Sequence, residues 1–348
     1  MTNAVQNPEL TAAEQLTQVL RDRMTVEYGE GTNIGGLVRL SGGASRETWS
    51  FDALKPNGDC QPLILKRDPM DRQVDKQFEG VPEGRLAVDR LTEGRLIQLA
   101  DEAGAPEPVV PFFLHSDERT TPGFFTHRLN GETLGRRILR DDAYARARSK
   151  LAFQVGHAAA RFHGIDMEAL PTMHGMRVAE ELLHYRRIMD SFHQPHAGFE
   201  YGFYWLGERL ELAGDRYSLC HGDFRNGNIL VDEDGLAGVL DWESAHLGNP
   251  SADLGWMCVQ AWRYGYNDKV VGGFGNVGQL LDGYEAGGGI RINEEEINFW
   301  QIFGTLRWGI LCMILGFTHL DGDQRTVEYA AIGRRAAETE YDLMLLLD

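Results

Sequence analysis

Apolar residues fall at strand-like spacing in the first third of the chain and at helical spacing through most of the rest. "TAAEQLTQVLRDRM" has helical apolar spacing, with a Thr able to cap it, and predicts a short amphipathic helix. "GLVRLSGGASRETWSFDA" and "PLILKRD" alternate as strands do, and "KPNGD" supplies the turn between them. "RLAVDRLTEGRLIQLADEAG" reads as a helix closed by Gly104 and the breaker run "APEPVVP". Two more strands are expected around "VVPFFLH" and "GFFTHRL". Beyond Gly131 the period changes. "DDAYARARSKLAFQVGHAAARFHGID" and "AEELLHYRRIMDSF" are helical, a strand-like island covers "LCHGDFRNGNIL" and "AGVLDWESA", and helices return from Leu254 to the end.

The pattern therefore predicts an α+β chain: an N-terminal helical extension over residues 1–29, a small antiparallel-sheet lobe over 30–128 and a mainly helical lobe over 129–348. With 348 residues, 43% of them hydrophobic, the chain can bury a large core. A formal net charge of −18 argues against a general nucleic-acid binder and fits a cytoplasmic protein. Cys60, Cys220, Cys258 and Cys312 lie far apart without metal-ligand spacing, so reduced, mostly buried thiols are expected. The N-terminus shows no basic start followed by an apolar run, so no secretory signal is expected. "FWQIFGTLRWGILCMILGF" is apolar enough to raise a membrane span, but Arg307 near its middle favours a buried helix, and no membrane partner is expected.

The chemistry concentrates in "LCHGDFRNGNIL". His221, Asp223 and Asn228 sit between two strands, and a hairpin can return Asp241 close to Asn228. One carboxylate and one amide oxygen make a poor zinc cage but suit Mg2+, which prefers oxygen ligands. Asp223 remains able to accept a proton from a hydroxyl, and Arg225 adds a fixed positive charge. A base, a magnesium pair and a cation are the parts phosphoryl transfer needs. A metal hydrolase using His221, Asp223, Asp241 and His246 and a non-catalytic relative remain as alternatives.

"HGDFRNGNIL" followed by "GVLDWESAHLGNPSADLGW" resembles the catalytic loop and metal-binding segment of the aminoglycoside phosphotransferase/choline kinase family, distant relatives of the protein kinases. It is most similar to a bacterial branch that also resembles the kinase-like domain fused to some acyl-CoA dehydrogenases. The resemblance implies a bilobal protein-kinase-like fold with ATP in the cleft between the lobes. It implies Asp223 as catalytic base, Asn228 and Asp241 as Mg2+ ligands, and a less fixed role for Arg225 at the transferred phosphate. His221 and Asp253 would be structural.

On the nucleotide side, "LSGGASRETWSF" stands where the family keeps its phosphate-covering loop, which points to Gly42, Gly43 and Ser45. Lys66 matches the lysine that binds the α- and β-phosphates, and Glu93 best fits its helix partner, although Gly94 is unusual beside it. "FFTHRLNGETL" resembles the inter-lobe hinge, placing Thr126 and Arg128 near adenine. His157 and His163 read as packing or surface residues. The acceptor is expected to be a small molecule bearing a hydroxyl. The aromatic content of the helices around "YGFYWLGERLEL" and from Trp256 onward leans toward an apolar or mixed acceptor, such as a hydroxyacyl thioester or lipophilic alcohol, over a cationic aminoglycoside.

Overall fold

The computed structural model describes residues 12–40, 47–69, 87–117, 119–322 and 325–347. Helix α1 (Ala12–Tyr28) precedes strands β1 (Asn33–Arg39), β2 (Glu47–Leu54) and β3 (Cys60–Arg67). Helix α2 (Arg90–Glu102) then leads to β4 (Phe112–Leu114) and β5 (Gly123–His127). The five strands form one antiparallel sheet in the order β1-β2-β3-β5-β4. The hairpin between β2 and β3 pairs Glu47 with Arg67 and Leu54 with Cys60, and the Lys55 N–H donates to the Asp59 carbonyl at 2.8 Å across the turn.

Alternation explains the sheet's inner face. Phe51, Ala53, Leu63, Leu65 and Phe125 are buried with Leu16, Leu20 and Met24 of α1, so the amphipathic helix covers one side of the sheet. Helix α2 starts later than its apolar period suggests, because the Asp89 carboxylate accepts from the N–H groups of Leu91 and Thr92 and so caps the first turn. Residues 87–89 are non-helical. Strand β4 is similarly shorter than "VVPFFLH" and begins just after Pro111, which has no N–H to give a ladder.

The chain divides into two compact units. The described residues through 69, with Asp89–Arg95 and Pro108–Arg128, form the sheet-containing unit; residues 87–88, Leu96–Glu107 and those from Leu129 onward form the other. The second contains α3 (Gly135–Arg140), α4 (Ala145–His163), α5 (Val178–Ser191) and α6 (Ala197–Gly207). Four short strands follow: β6 (Ser218–Cys220), β7 (Ile229–Val231), β8 (Leu236–Val239) and β9 (His246–Gly248). Helices α7 (Ser251–Met257), α8 (Val277–Ala286), α9 (Glu294–Asp321), α10 (Val327–Gly333) and α11 (Arg335–Leu347) complete it. The short strands pair as β6-β9 and β7-β8, forming the island expected around the polar motif.

Helix α9 runs through the core of this unit. Phe299, Ile302, Phe303, Leu306 and Ile310 are buried with Ile188 and Met189 of α5, Phe199 and Leu206 of α6 and Leu343 of α11. By length and composition α9 is also the one helix among the described residues apolar enough to cross a membrane. Its apolar run is here core, as the position of Arg307 suggests. Cys220, Cys258 and Cys312 are buried thiols, while Cys60 is exposed.

Candidate active site

The polar motif forms a loop between β6 and β7 whose backbone is held from both sides. Asp253, in the first turn of α7, accepts from the N–H groups of His221 (2.7 Å) and Gly222 (2.9 Å). Its carboxylate also meets His163 Nε2 at 3.1 Å, and the other nitrogen of that ring meets the Tyr284 hydroxyl. Burial works against the charge on Asp253, yet the His163 ring and the backbone donors hold its pKa below the usual carboxylate range. His163 is thus a buried support for the loop, which its place in an ordinary helical pattern did not reveal.

His221 is fully buried, and burial pushes its pKa down. Its Nε2 lies 3.0 Å from the Leu240 carbonyl, and its Nδ1 accepts from the Asp223 N–H at 3.2 Å. Both ring nitrogens are engaged, as a structural residue requires. Gly222 between them adopts φ +79, and a Cβ there would lie 2.1 Å from the Ser244 carbonyl oxygen. No other residue fits without moving the backbone.

This frame delivers Asp223, whose side chain remains about a quarter exposed. Arg225 Nε donates to its two oxygens at 3.0 and 3.2 Å, Asn228 Nδ2 to Oδ2 at 2.6 Å, and Trp256 Nε1 to Oδ1 at 2.8 Å. Arg225 also lies 4.5 Å above the Trp262 ring. Burial lowers the tendency of Arg225 to stay charged, and Asp223 more than offsets it, leaving its pKa above the ordinary guanidinium value. The Asn228 amide nitrogen donates to both the backbone and the side chain of Asp223, so its carbonyl oxygen is turned away from them.

The β7-β8 hairpin brings Asp241 back as its length suggests: the Leu240 N–H donates to the Asn228 carbonyl at 2.8 Å. Asp241 adopts a left-handed backbone (φ 70, ψ 61) at the start of a short 3-10 turn, a conformation few residues other than glycine take. An amide oxygen and a carboxylate suit a hard, oxygen-preferring cation, so this pair fits Mg2+.

In the sheet unit, Lys66 Nζ on β3 lies 3.2 Å from Glu93 Oε1, and Glu93 is wholly buried. Arg90 pairs with the other oxygen of the same carboxylate. The odd neighbour, Gly94, has a steric reason: a Cβ there would lie 2.5 Å from Phe113 Cε1 and 2.9 Å from Phe124 Cγ. Thr126 is buried on β5 opposite Ile64. Arg128 directs its guanidinium to Ser50 Oγ and Asp52, both at 2.9 Å, so its side chain ties the sheet together. Gly42, Gly43 and Ser45 lie outside the described residues.

Two side chains beside the loop carry contacts that motif reading passed over. Trp256 follows Asp253 by one helical turn, and Arg307 comes from the middle of α9. The "DLGW" spacing puts Asp253 and Trp256 on one face of a helix, which is the signal that was available for Trp256.

Residues 36–290 match the model of the phosphotransferase enzyme family known as APH. A 52-residue stretch is 44% identical to acyl-CoA dehydrogenase family member 11 of Gallus gallus, covering 14% of this chain. The chain covers 7% of the length of the curated relatives it matches. Among solved structures, a putative aminoglycoside phosphotransferase from Ralstonia eutropha is similar with a TM-score of 0.70, at 17% identity over 95% of this chain and 97% of that one. A choline/ethanolamine kinase family protein from Mesorhizobium loti is similar with a TM-score of 0.57, at 19% identity over 96% and 95% of the two chains. Other similar folds were solved with ADP or GDP. A family model spanning most of the chain, over an antiparallel sheet and a mainly helical remainder, establishes that this chain belongs to the phosphotransferase enzyme family and has its kinase-like fold.

Proposed function

We propose that the protein is an ATP- and Mg2+-dependent kinase of a small-molecule hydroxyl, with Asp223 as base. The observation that carries this reading is the set of donors on Asp223: Arg225, Asn228 and Trp256 orient a partly exposed carboxylate while His221 and Asp253 fix its backbone. The acceptor oxygen bonds to the γ-phosphorus, its proton passes to Asp223, and ADP departs with the electrons of the broken P–O bond. Arg225 favours the negative charge on the transferred group. Asn228 and Asp241 would hold Mg2+, which when bound neutralises phosphate charge. Lys66, oriented by Glu93, would bind the α- and β-phosphates. Roles for Gly42, Gly43 and Ser45 at the phosphates, and for the backbone around Thr126 and Arg128 at adenine, belong to the same proposal.

The hydrolase alternative loses a ligand, since both nitrogens of His221 are hydrogen-bonded. A non-catalytic module does not account for the joint retention of Lys66, Asp223, Asn228 and Asp241. Around the base stand two guanidiniums on indole faces, Arg225 over Trp262 and Arg307 over Trp256, each at 4.5 Å. That setting supports an acceptor with apolar or anionic character, such as a hydroxyacyl thioester or a lipophilic alcohol, over a polycationic aminoglycoside. A cytoplasmic location is part of the proposal, supported by four free cysteines, three of them buried.

The test is ADP release with Mg2+ and ATP against a panel of alcohols, hydroxyacyl thioesters, sugars and aminoglycosides. Turnover dependent on a neutral or anionic hydroxyl compound is expected. Turnover confined to aminoglycosides would overturn the acceptor assignment, and phosphoester cleavage without nucleotide would overturn the kinase.

A further inference from the structure

We propose that Trp256 and Arg307 are a positioning pair for Asp223, acting on the base from outside its own loop. The inference rests on the reading of Asp223 as base. Two of the three side chains that donate to Asp223, those of Arg225 and Asn228, belong to the same loop and move with it. Trp256 belongs to α7, and its indole N–H reaches Asp223 Oδ1 at 2.8 Å. It ties the carboxylate to a helix rather than to neighbouring loop atoms.

The same helix holds the loop backbone. Asp253 accepts from the His221 and Gly222 N–H groups, and Trp256 reaches the next side chain one turn later. Arg307 closes the arrangement from α9: its Nη2 donates to the Gly222 carbonyl at 2.8 Å, and its guanidinium lies 4.5 Å from the centre of the Trp256 ring. Asp253 thus fixes the N–H of Gly222, while Arg307 fixes its C=O and also covers the indole that orients Asp223. One face of Trp256 is held by a cation, which removes freedom from the ring.

Close backbone approach sets the register of the two helices. A Cβ on Gly255 would lie 2.4 Å from Trp300 Cβ, and one on Gly304 would lie 2.9 Å from Val259 Cγ2 and 3.2 Å from Trp256 Cε3. Trp256 is nearly fully buried, packed beside Trp262 and Trp308. A guanidinium half-buried in an apolar helix carries a desolvation cost. Tyr185, Glu181, Asp223 and Asp253 favour its charge, and its Nη2 hydrogen bond goes to the loop that carries the base. That placement gives a charge in the middle of α9 a reason to be there.

The test pairs kinetics with a spectroscopic readout that needs no turnover. Trp256→Phe keeps an aromatic ring and removes the N–H. The expected result is a kcat lowered about 10- to 100-fold, with KM for nucleotide and acceptor within about threefold. Arg307→Lys should give an intermediate loss of kcat. In protein labelled with 15N at tryptophan, the indole resonance absent from Trp256→Phe should shift in Asp223→Asn.

A Trp256→Phe enzyme with unchanged kcat overturns the proposal, as does an indole resonance indifferent to Asp223→Asn. Should Trp256→Phe fail to fold, the Asp223→Asn and Arg307→Lys proteins carry the same decision, with the resonance assigned by elimination among the other tryptophans. Absence of phosphoryl transfer in the wild type defeats the kinase reading. The resonance then separately decides whether the Trp256 contact exists.

Discussion

Asp253 and Asp342 show how one residue type serves opposite ends. Asp253 receives two backbone N–H groups and the His163 ring, and its folded pKa lies below its unfolded value. Its contribution to stability is therefore present above the unfolded carboxylate pKa of about 4 and lost as pH falls through the folded value. Asp253→Ala leaves buried donors without an acceptor and is expected to cost about 3–5 kcal/mol, read as a lower denaturant midpoint. Asp342 is pushed up to about 6, chiefly by burial, with Glu338 adding to the rise. Here the sign reverses: the contribution is complete below about pH 4 and disappears as pH rises through 6. Asp342→Asn keeps the acceptor for Gln260 and should be more stable than the wild type at pH 7, by about 1–2 kcal/mol, with the difference shrinking toward pH 4. Equal unfolding profiles from pH 4 to 7 would contradict this. The loop motif was legible because Asp223, Arg225 and Asn228 lie within six residues of sequence. Trp256 and Arg307 were not, because their contacts with the loop span 33 and 85 positions and exist only once α7 packs on α9.

Among the elements, α2 is the instructive case. A glycine inside a helix costs about 1 kcal/mol relative to alanine, so Gly94→Ala would stabilise an isolated helix. Phe113 and Phe124 decide otherwise, because the added Cβ would press on both rings. Gly94→Ala is expected to destabilise the protein by about 1–3 kcal/mol. It should also weaken nucleotide binding by displacing Glu93 from Lys66. A rise in Tm with unchanged ATP affinity would count against the packing argument. The helical and strand periods located α1, α2, α4, α5 and the strands of the sheet, most plainly where one face is buried, as on β2 and β3. Their ends were less legible, because Asp89 acts through local hydrogen bonds and Pro111 through a missing N–H, which a period does not register.

At the scale of the whole molecule, a net charge of −18 and a 28-residue apolar helix pull expectation in different directions, and the core resolves them. The apolar faces of α5, α6 and α11 cover much of α9, and the charge on Arg307 serves the loop. The protein should therefore remain with the aqueous fraction when mixed with anionic or neutral vesicles and floated; recovery with the vesicles would show that α9 leaves the core. The acceptor is the least legible property, because aromatic residues that pack a core and those that line a pocket look alike in sequence. The central claim is more exposed than any of these, since it assigns one proton to one carboxylate. The most direct measurement follows the γ-phosphate of ATP to the best acceptor in a single turnover, comparing wild type with Asp223→Asn at matched nucleotide occupancy. The account predicts a rate lowered by about 10²- to 10⁴-fold with ATP affinity retained. Equal rates in the two proteins would contradict it.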